Sequence, residues 1–169
     1  MSQIKLVFAI MLLSLPAAAQ DLAAAGTSET EVEIVIEEPV GVGPIEAGDH
    51  ELVEFQWLKR LIVVFADTPR DPSFLHQLDL LADRPEALDE RDVLIVIDSD
   101  PAAATPIRKA LRPRGFAMVI VDKDSKVLLR KPSPWDVREI TRAIDKTPLR
   151  QQELRDARAE EARQRGFPQ

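Results

Sequence analysis

The sequence predicts an α/β domain on a mixed sheet, with elements in the order β-α-β-α-β-β-α and a charged helix behind them. Three observations carry this. Residues 61–65 (Leu-Ile-Val-Val-Phe) and 93–97 (Val-Leu-Ile-Val-Ile) are unbroken apolar runs of strand length, and each is followed by a helical segment that opens at a proline. Residues 116–121 are a further apolar run, and the strand-length segment Val127-Leu128-Leu129-Arg130 follows it after only Asp122-Lys123-Asp124-Ser125-Lys126. So short a link permits an antiparallel hairpin and forbids a parallel crossover. Finally, Trp135, Val137, Ile140, Ala143 and Ile144 partly follow helical spacing. The expected product is a three-layer domain around a four-stranded mixed sheet.

Each element has a local reason. Runs without alternation belong to strands buried on both faces, which suits parallel neighbours in the middle of a sheet. After the first run, Asp71 is placed to cap a helix and Pro72 suits its first turn; Phe74, Leu75, Leu78, Leu81 and Ala82 give that helix one apolar side. Arg84-Pro85 interrupts it. The second strand is entered through Glu90-Arg91-Asp92 and left through Asp98-Ser99-Asp100-Pro101. Thr105-Pro106 opens a short helix with Ile107, Ala110 and Leu111 as apolar positions, ending before Pro113 and Gly115. Pro134 is expected to start the last core helix and Thr147-Pro148 to stop it. Beyond lies a tail, residues 149–169, rich in Arg, Glu, Gln and Ala, with Leu149 and Leu154 too few for an apolar stripe; it reads as a solvated helix with pairs such as Glu161 and Arg165.

Residues 1–19 have the anatomy of an export signal: Lys5, an apolar run from Leu6 to Leu15 broken only by Ser14, then Pro16 and three alanines, with Ala17 and Ala19 marking cleavage after Ala19. The run is about half the length needed to span a bilayer. Lipid anchoring needs a cysteine at the cleavage point, and the chain has none. The expected location is the periplasm or the exterior, with no membrane anchor after cleavage. Residues 20–53 form an acidic leader, in which the segment 31–37 could make a short edge strand, and the folded domain is expected over 54–148. From 20 to 54 there are ten carboxylates and no Lys or Arg. The net charge of −7 and a pI near 4.9 argue against a nucleic-acid surface.

A mixed sheet with β-α-β followed by β-β-α is the outline of a thioredoxin-like domain. Local phrases sharpen this: Phe55-x-Trp57 with Arg60-Leu61-Ile62-Val63-Val64-Phe65-Ala66, then Glu90-Arg91-Asp92-Val93, Val119-Ile120-Val121-Asp122-Lys123-Asp124 and Ile144-Asp145-Lys146-Thr147-Pro148-Leu149-Arg150-Gln151. Together, over roughly residues 54–153, they resemble a bacterial family of unknown function with a thioredoxin-like, peroxiredoxin-related fold. Its domain also occurs in animal coiled-coil-domain-containing protein 80 and sushi-repeat extracellular proteins. The resemblance implies a fold in exported proteins and brings no catalytic residues with it. Against active thioredoxins, Asp67-Thr68-Pro69-Arg70-Asp71-Pro72-Ser73 stands where a cysteine pair would precede the helix, and Gly115-Phe116-Ala117, where such folds place a cis-proline facing the cysteines, contains no proline. Disulfide exchange and peroxide reduction need a thiolate, so the chain does neither.

The sharpest polar cluster is Asp67, Arg70 and Asp71 after the first strand with Asp98, Ser99 and Asp100 after the second. If the two strands are parallel neighbours, both loops meet at one sheet end, where open α/β sheets bind ligands. These six residues are the candidate ligand site. A divalent cation held by Asp67, Asp71, Asp98 and Asp100 is the sharper alternative, against helix capping and turn roles for the same residues, and no metal or cofactor is expected. His50 and His76 cannot build a zinc site, and Ser73 with His76 lacks the geometry of a hydrolase triad. Trp57 and Trp135 read as packing residues. The expectation is a noncatalytic, exported binding module with an envelope-protein or small-molecule partner. Its alternative is a periplasmic enzyme with nonthiol chemistry using Asp67, Arg70, Asp71 and Asp98.

Overall fold

A computed structural model describes residues 43–166. The expected signal, most of the acidic leader and its 31–37 segment lie outside the described residues. Five strands, β1 (Ile45–Glu46), β2 (Arg60–Phe65), β3 (Val93–Asp98), β4 (Ala117–Val121) and β5 (Val127–Lys131), make one mixed sheet in the order β1-β3-β2-β4-β5. The two apolar runs are parallel neighbours in register from Arg60 opposite Val93 to Phe65 opposite Asp98. β4 returns antiparallel to β2, and β5 completes the expected hairpin with β4. Its turn is closed by the Ser125 N–H donating to the Asp122 carbonyl at 2.9 Å.

The sheet has five strands where four were expected. Ile45–Glu46, inside the segment read as leader, pairs parallel with Val96 and Ile97. Two residues fenced by Gly43-Pro44 and Gly48 are too few to show a period, so pattern reading passes over them.

The helices are α1 (Pro72–Ala82), α2 (Pro85–Asp89), α3 (Pro106–Leu111), α4 (Val137–Asp145) and α5 (Pro148–Arg165). Proline opens four of the five, where its missing N–H costs nothing. Arg84-Pro85 therefore does not merely end α1; it starts α2. Likewise Thr147-Pro148 ends one helix by beginning the next, with the Thr147 hydroxyl accepting from the Arg150 N–H. The last core helix begins at Val137, not Pro134, because the Asp136 carboxylate caps it by accepting from the Glu139 N–H at 2.8 Å.

Alternate residues of the central strands feed two apolar layers. Ile62 and Val64 face α1, α2 and α4 with Phe74, Leu81, Leu88, Ile95, Met118, Ile120, Ile140 and Ile144. Leu61, Val63 and Phe65 face α3 with Leu94, Val96, Ile107, Leu111 and Val119. The period of two along β2 thus divides the core between the sheet's faces. Trp57 belongs to neither layer. It lies 62% exposed with φ 65°, since the chain turns left-handed there to deliver the Trp57 N–H to the Lys123 carbonyl at 2.7 Å.

At the end of the sheet where β2 begins, charged side chains replace apolar packing. Arg60 is fully buried, donating to Asp122 Oδ1 (2.8 Å), the Arg91 carbonyl (2.9 Å) and both oxygens of Glu153 on α5 (2.9 and 3.1 Å). Lys123 and Arg150 also reach Glu153, each at 3.1 Å, and Arg91 grips Asp145 through two nitrogens at 2.9 and 2.8 Å. Burial pushes the Glu153 carboxyl up, but hydrogen bonds from Arg60, Arg150 and Lys123 outweigh it and hold the group at about 2. Arg60, Glu90-Arg91-Asp92, Asp122-Lys123 and the 144–151 phrase all converge on this clasp. Residues that look distinctive in the sequence serve here to fasten α5 to the sheet.

Candidate functional site

The opposite end, where β2 and β3 finish, carries the six predicted residues. Register places Phe65 beside Asp98, and the Ala66 N–H donates to the Asp98 carbonyl at 3.0 Å, so both loops do leave the sheet together. Within the loops the side chains part company. Asp71 caps α1, accepting from the N–H groups of Ser73 (2.8 Å) and Phe74 (3.1 Å). Asp100 accepts from Ala102 N–H at 2.9 Å and caps the short 3-10 turn Pro101–Ala103. Asp67 and Arg70 are exposed.

Asp98 is buried, 3% exposed, and its oxygens have internal partners. Oδ2 accepts from the Thr105 hydroxyl at 2.7 Å, and Oδ1 accepts from Arg108 Nε (3.0 Å) and Nη2 (2.7 Å). Arg108 Nη2 also donates to the carbonyls of Ala66 (2.8 Å) and Asp98 (2.9 Å), and its guanidinium lies 5.3 Å from the centre of the Phe65 ring. A charge in a buried position is tolerated when it is paired and hydrogen-bonded in this way. Arg108 thus bolts the ends of β2 and β3 together from α3. Sequence reading passed over it because it sits mid-helix among Lys109 and Arg112, where a cation looks solvated.

The six residues therefore form no single cluster. Asp98, Ser99 and Asp100 line a cavity of about 280 Å³ with Glu46, Gly48, Asp49 and Thr105, whereas Asp67, Arg70 and Asp71 lie outside it. The four aspartates weighed as a cation site do not gather: among the described residues no three His, Cys, Asp or Glu side chains are placed to hold a metal ion.

On the other flank of the same end lies a second cavity, about 480 Å³, which sequence reading missed. It is bounded by Arg112, Pro113 and Arg114 ahead of β4, Phe116, and Arg130, Lys131 and Pro132 at the end of β5. The signal was present in the hairpin itself. Antiparallel pairing of Met118 with Lys131 brings whatever precedes β4 beside whatever ends β5, and both segments are basic.

Strand order β1-β3-β2-β4-β5, with β2 and β3 parallel, β4 and β5 antiparallel and helices on both faces, defines a thioredoxin-like α/β domain, here without cysteine. Residues 51–153 match the family described as Domain of unknown function (DUF4174), and the chain belongs to that family. No curated protein matches it in sequence. Among solved structures it is similar to the reduced 2-Cys peroxiredoxin of Plasmodium vivax, at 18% identity and TM-score 0.45, covering 56% of this chain and 80% of that one. It is similar to chloroplastic thioredoxin z, at 23% identity and TM-score 0.45, covering 63% and 94%. A third likeness is the pneumococcal exposed lipoprotein thioredoxin Etrx1 from Streptococcus pneumoniae, at 16% identity and TM-score 0.44, covering 58% and 91%. Among the described residues no helix is long and apolar enough to cross a membrane.

Proposed function

We propose that the protein is an exported, noncatalytic binding module that presents the loops after β2 and β3 to an envelope protein or a small ligand. One observation carries the reading. The start of α1, where a helix N-terminus would lower the pKa of a reactive thiol, is occupied by the Asp71 carboxylate, which takes the free N–H groups of Ser73 and Phe74 for itself. The neighbouring Asp98 is tied to Arg108 and Thr105. What those loops leave exposed, Asp67 and Arg70 with half-buried Ser99, is suited to contact and carries no activated nucleophile. Residues 1–19 support export by their pattern alone.

Two measurements test this. N-terminal sequencing of the protein recovered from fractionated cells is expected to start at Gln20 in the periplasm or medium; a chain retained in the cytosol and starting at Met1 would end the export reading. Photo-crosslinking amino acids placed at Arg70 and at Ser99 are expected to capture one discrete partner, while the same probe at Arg142 on α4 captures none. Equal or absent adducts at all three positions would count against these loops as the binding face.

A further inference from the structure

We propose that the cavity bounded by Arg112, Arg114 and Arg130 is a binding site for a polyvalent oxyanion, a small molecule bearing phosphate or carboxylate groups. It shares no residue with the loops after β2 and β3, so it stands or falls separately from the preceding reading.

The charge distribution is the first argument. The stretch 43–166 holds 21 Lys and Arg against 23 Asp and Glu, close to neutral, yet four cations line this one cavity of about 480 Å³. Lys131 is accounted for, with its ammonium 3.8 Å from the centre of the Trp135 ring. The three arginines are exposed, and among the described residues none has a carboxylate within ion-pair distance or a side-chain hydrogen bond. Asp67, from the loop after β2, brings its carboxylate near Gly115 in the loop that carries Arg112 and Arg114, but forms no ion pair with either. The buried or half-buried Arg60, Arg91, Arg108 and Arg150 are neutralised internally. Other exposed arginines such as Arg70 and Arg142 have no ion pair among the described residues either; Arg112, Arg114 and Arg130 differ from those in lining one cavity together.

Shape and stiffness are the second argument. Leu111, Pro113, Phe116, Ala117 and Pro132 give the cavity an apolar lining, which weakens solvent screening of a charge placed against it. The volume falls in the range of small-molecule sites, about 300 to 1,000 Å³. The loop that carries two of the arginines is held open before any ligand arrives. Arg112 is left-handed at φ 47° while its N–H closes α3 on the Arg108 carbonyl at 2.8 Å; Pro113 fixes the next φ, and Gly115 takes φ 61°. Arg130 comes from the other wall, opposite Val119 and therefore on the α3 side of the sheet. Guanidinium groups from two walls suit ligands with more than one anionic group, because each planar fork matches a carboxylate or a phosphate through paired N–H donors.

The test is titration of the purified protein with tripolyphosphate and, separately, with tricarballylate, followed by calorimetry and amide chemical shifts at low salt, about 50 mM. Saturable one-to-one binding of either probe is expected, with shifts centred on 111–117 and 130–132 and affinity falling as salt is raised. The probe that binds more tightly assigns the phosphate or the carboxylate class. Arg112→Ala, Arg114→Ala and Arg130→Ala should each weaken binding by about fivefold or more. Arg142→Ala, on α4 and away from the cavity, should change nothing. Melting curves establish that each variant is folded, and Arg→Gln replaces any alanine variant that is not. Failure of both probes to saturate, or an equal loss with Arg142→Ala, overturns the proposal.

Discussion

Arg60 occupies the first position of β2 with its side chain wholly buried, and its partners Arg91, Asp122 and Glu153 stand 31, 62 and 93 residues away in the chain. No local pattern announces such a role; beside the apolar run it reads as a polar lead-in to a strand. Asp71, by contrast, was legible because a cap and its helix are sequence neighbours. Glu153→Gln is expected to cost roughly 3 kcal/mol at neutral pH, since it leaves the buried Arg60 short of a charge partner; urea unfolding measures this. The pH dependence follows from the depressed Glu153 carboxyl at about 2. Between that value and the ordinary 4.5 the unfolded chain binds more protons at this site than the native one, so stability rises with pH. The gap between wild type and Glu153→Gln should therefore be constant above about pH 5 and close as pH falls toward 2. A gap that closes already between pH 7 and 5 would contradict the clasp.

Among elements, α1 is joined to the approach of α4 by one side chain. Gln77 is fully buried, donates through Nε2 to the Trp135 carbonyl at 3.0 Å and accepts the Trp135 N–H on Oε1 at 2.8 Å. Gln77→Leu keeps the volume but leaves both backbone groups without partners, at an expected cost of about 2 to 3 kcal/mol by thermal melting. The helical spacing of Phe74, Leu78 and Leu81 exposes the inward face of α1 to prediction, but a glutamine on that face looks like a boundary residue until its partner is known. α5 divides at Glu153. Its first turns hold Arg150 and Glu153 in the clasp, whereas no residue from Arg155 to Arg165 is even half-buried. Deleting 156–169 should shift unfolding free energy by less than about 1 kcal/mol, while deleting 149–169 should match or exceed the loss in Glu153→Gln. Equal losses from the two deletions would show that the exposed half is packed after all.

For the molecule as a whole, the sheet separates two apolar layers that share only the strands between them. Ile140→Ala on one side and Ile107→Ala on the other, both fully buried, should each cost about 2 to 5 kcal/mol and combine additively to within about 0.5 kcal/mol in denaturant unfolding. A large coupling energy would mean that the layers communicate through the sheet. The order of elements was legible in the sequence because each long strand and helix declares its period. Sheet order was not, since the position of β4 beside β2 depends on contacts that no local run encodes. The candidate site was legible only as a place. The loops after β2 and β3 do meet, but whether Asp98 faces a ligand or Arg108 depends on packing from a helix ten residues on. β1, the shortest strand, leaves the sheet with one blunt margin among the described residues, while β5 forms the other edge. A two-residue strand behind Pro44 gives a neighbouring molecule little backbone to pair with, so strand addition in concentrated solutions should be confined to the five-residue β5 edge, where Arg130 and Lys131 set like charges against each other in a second copy.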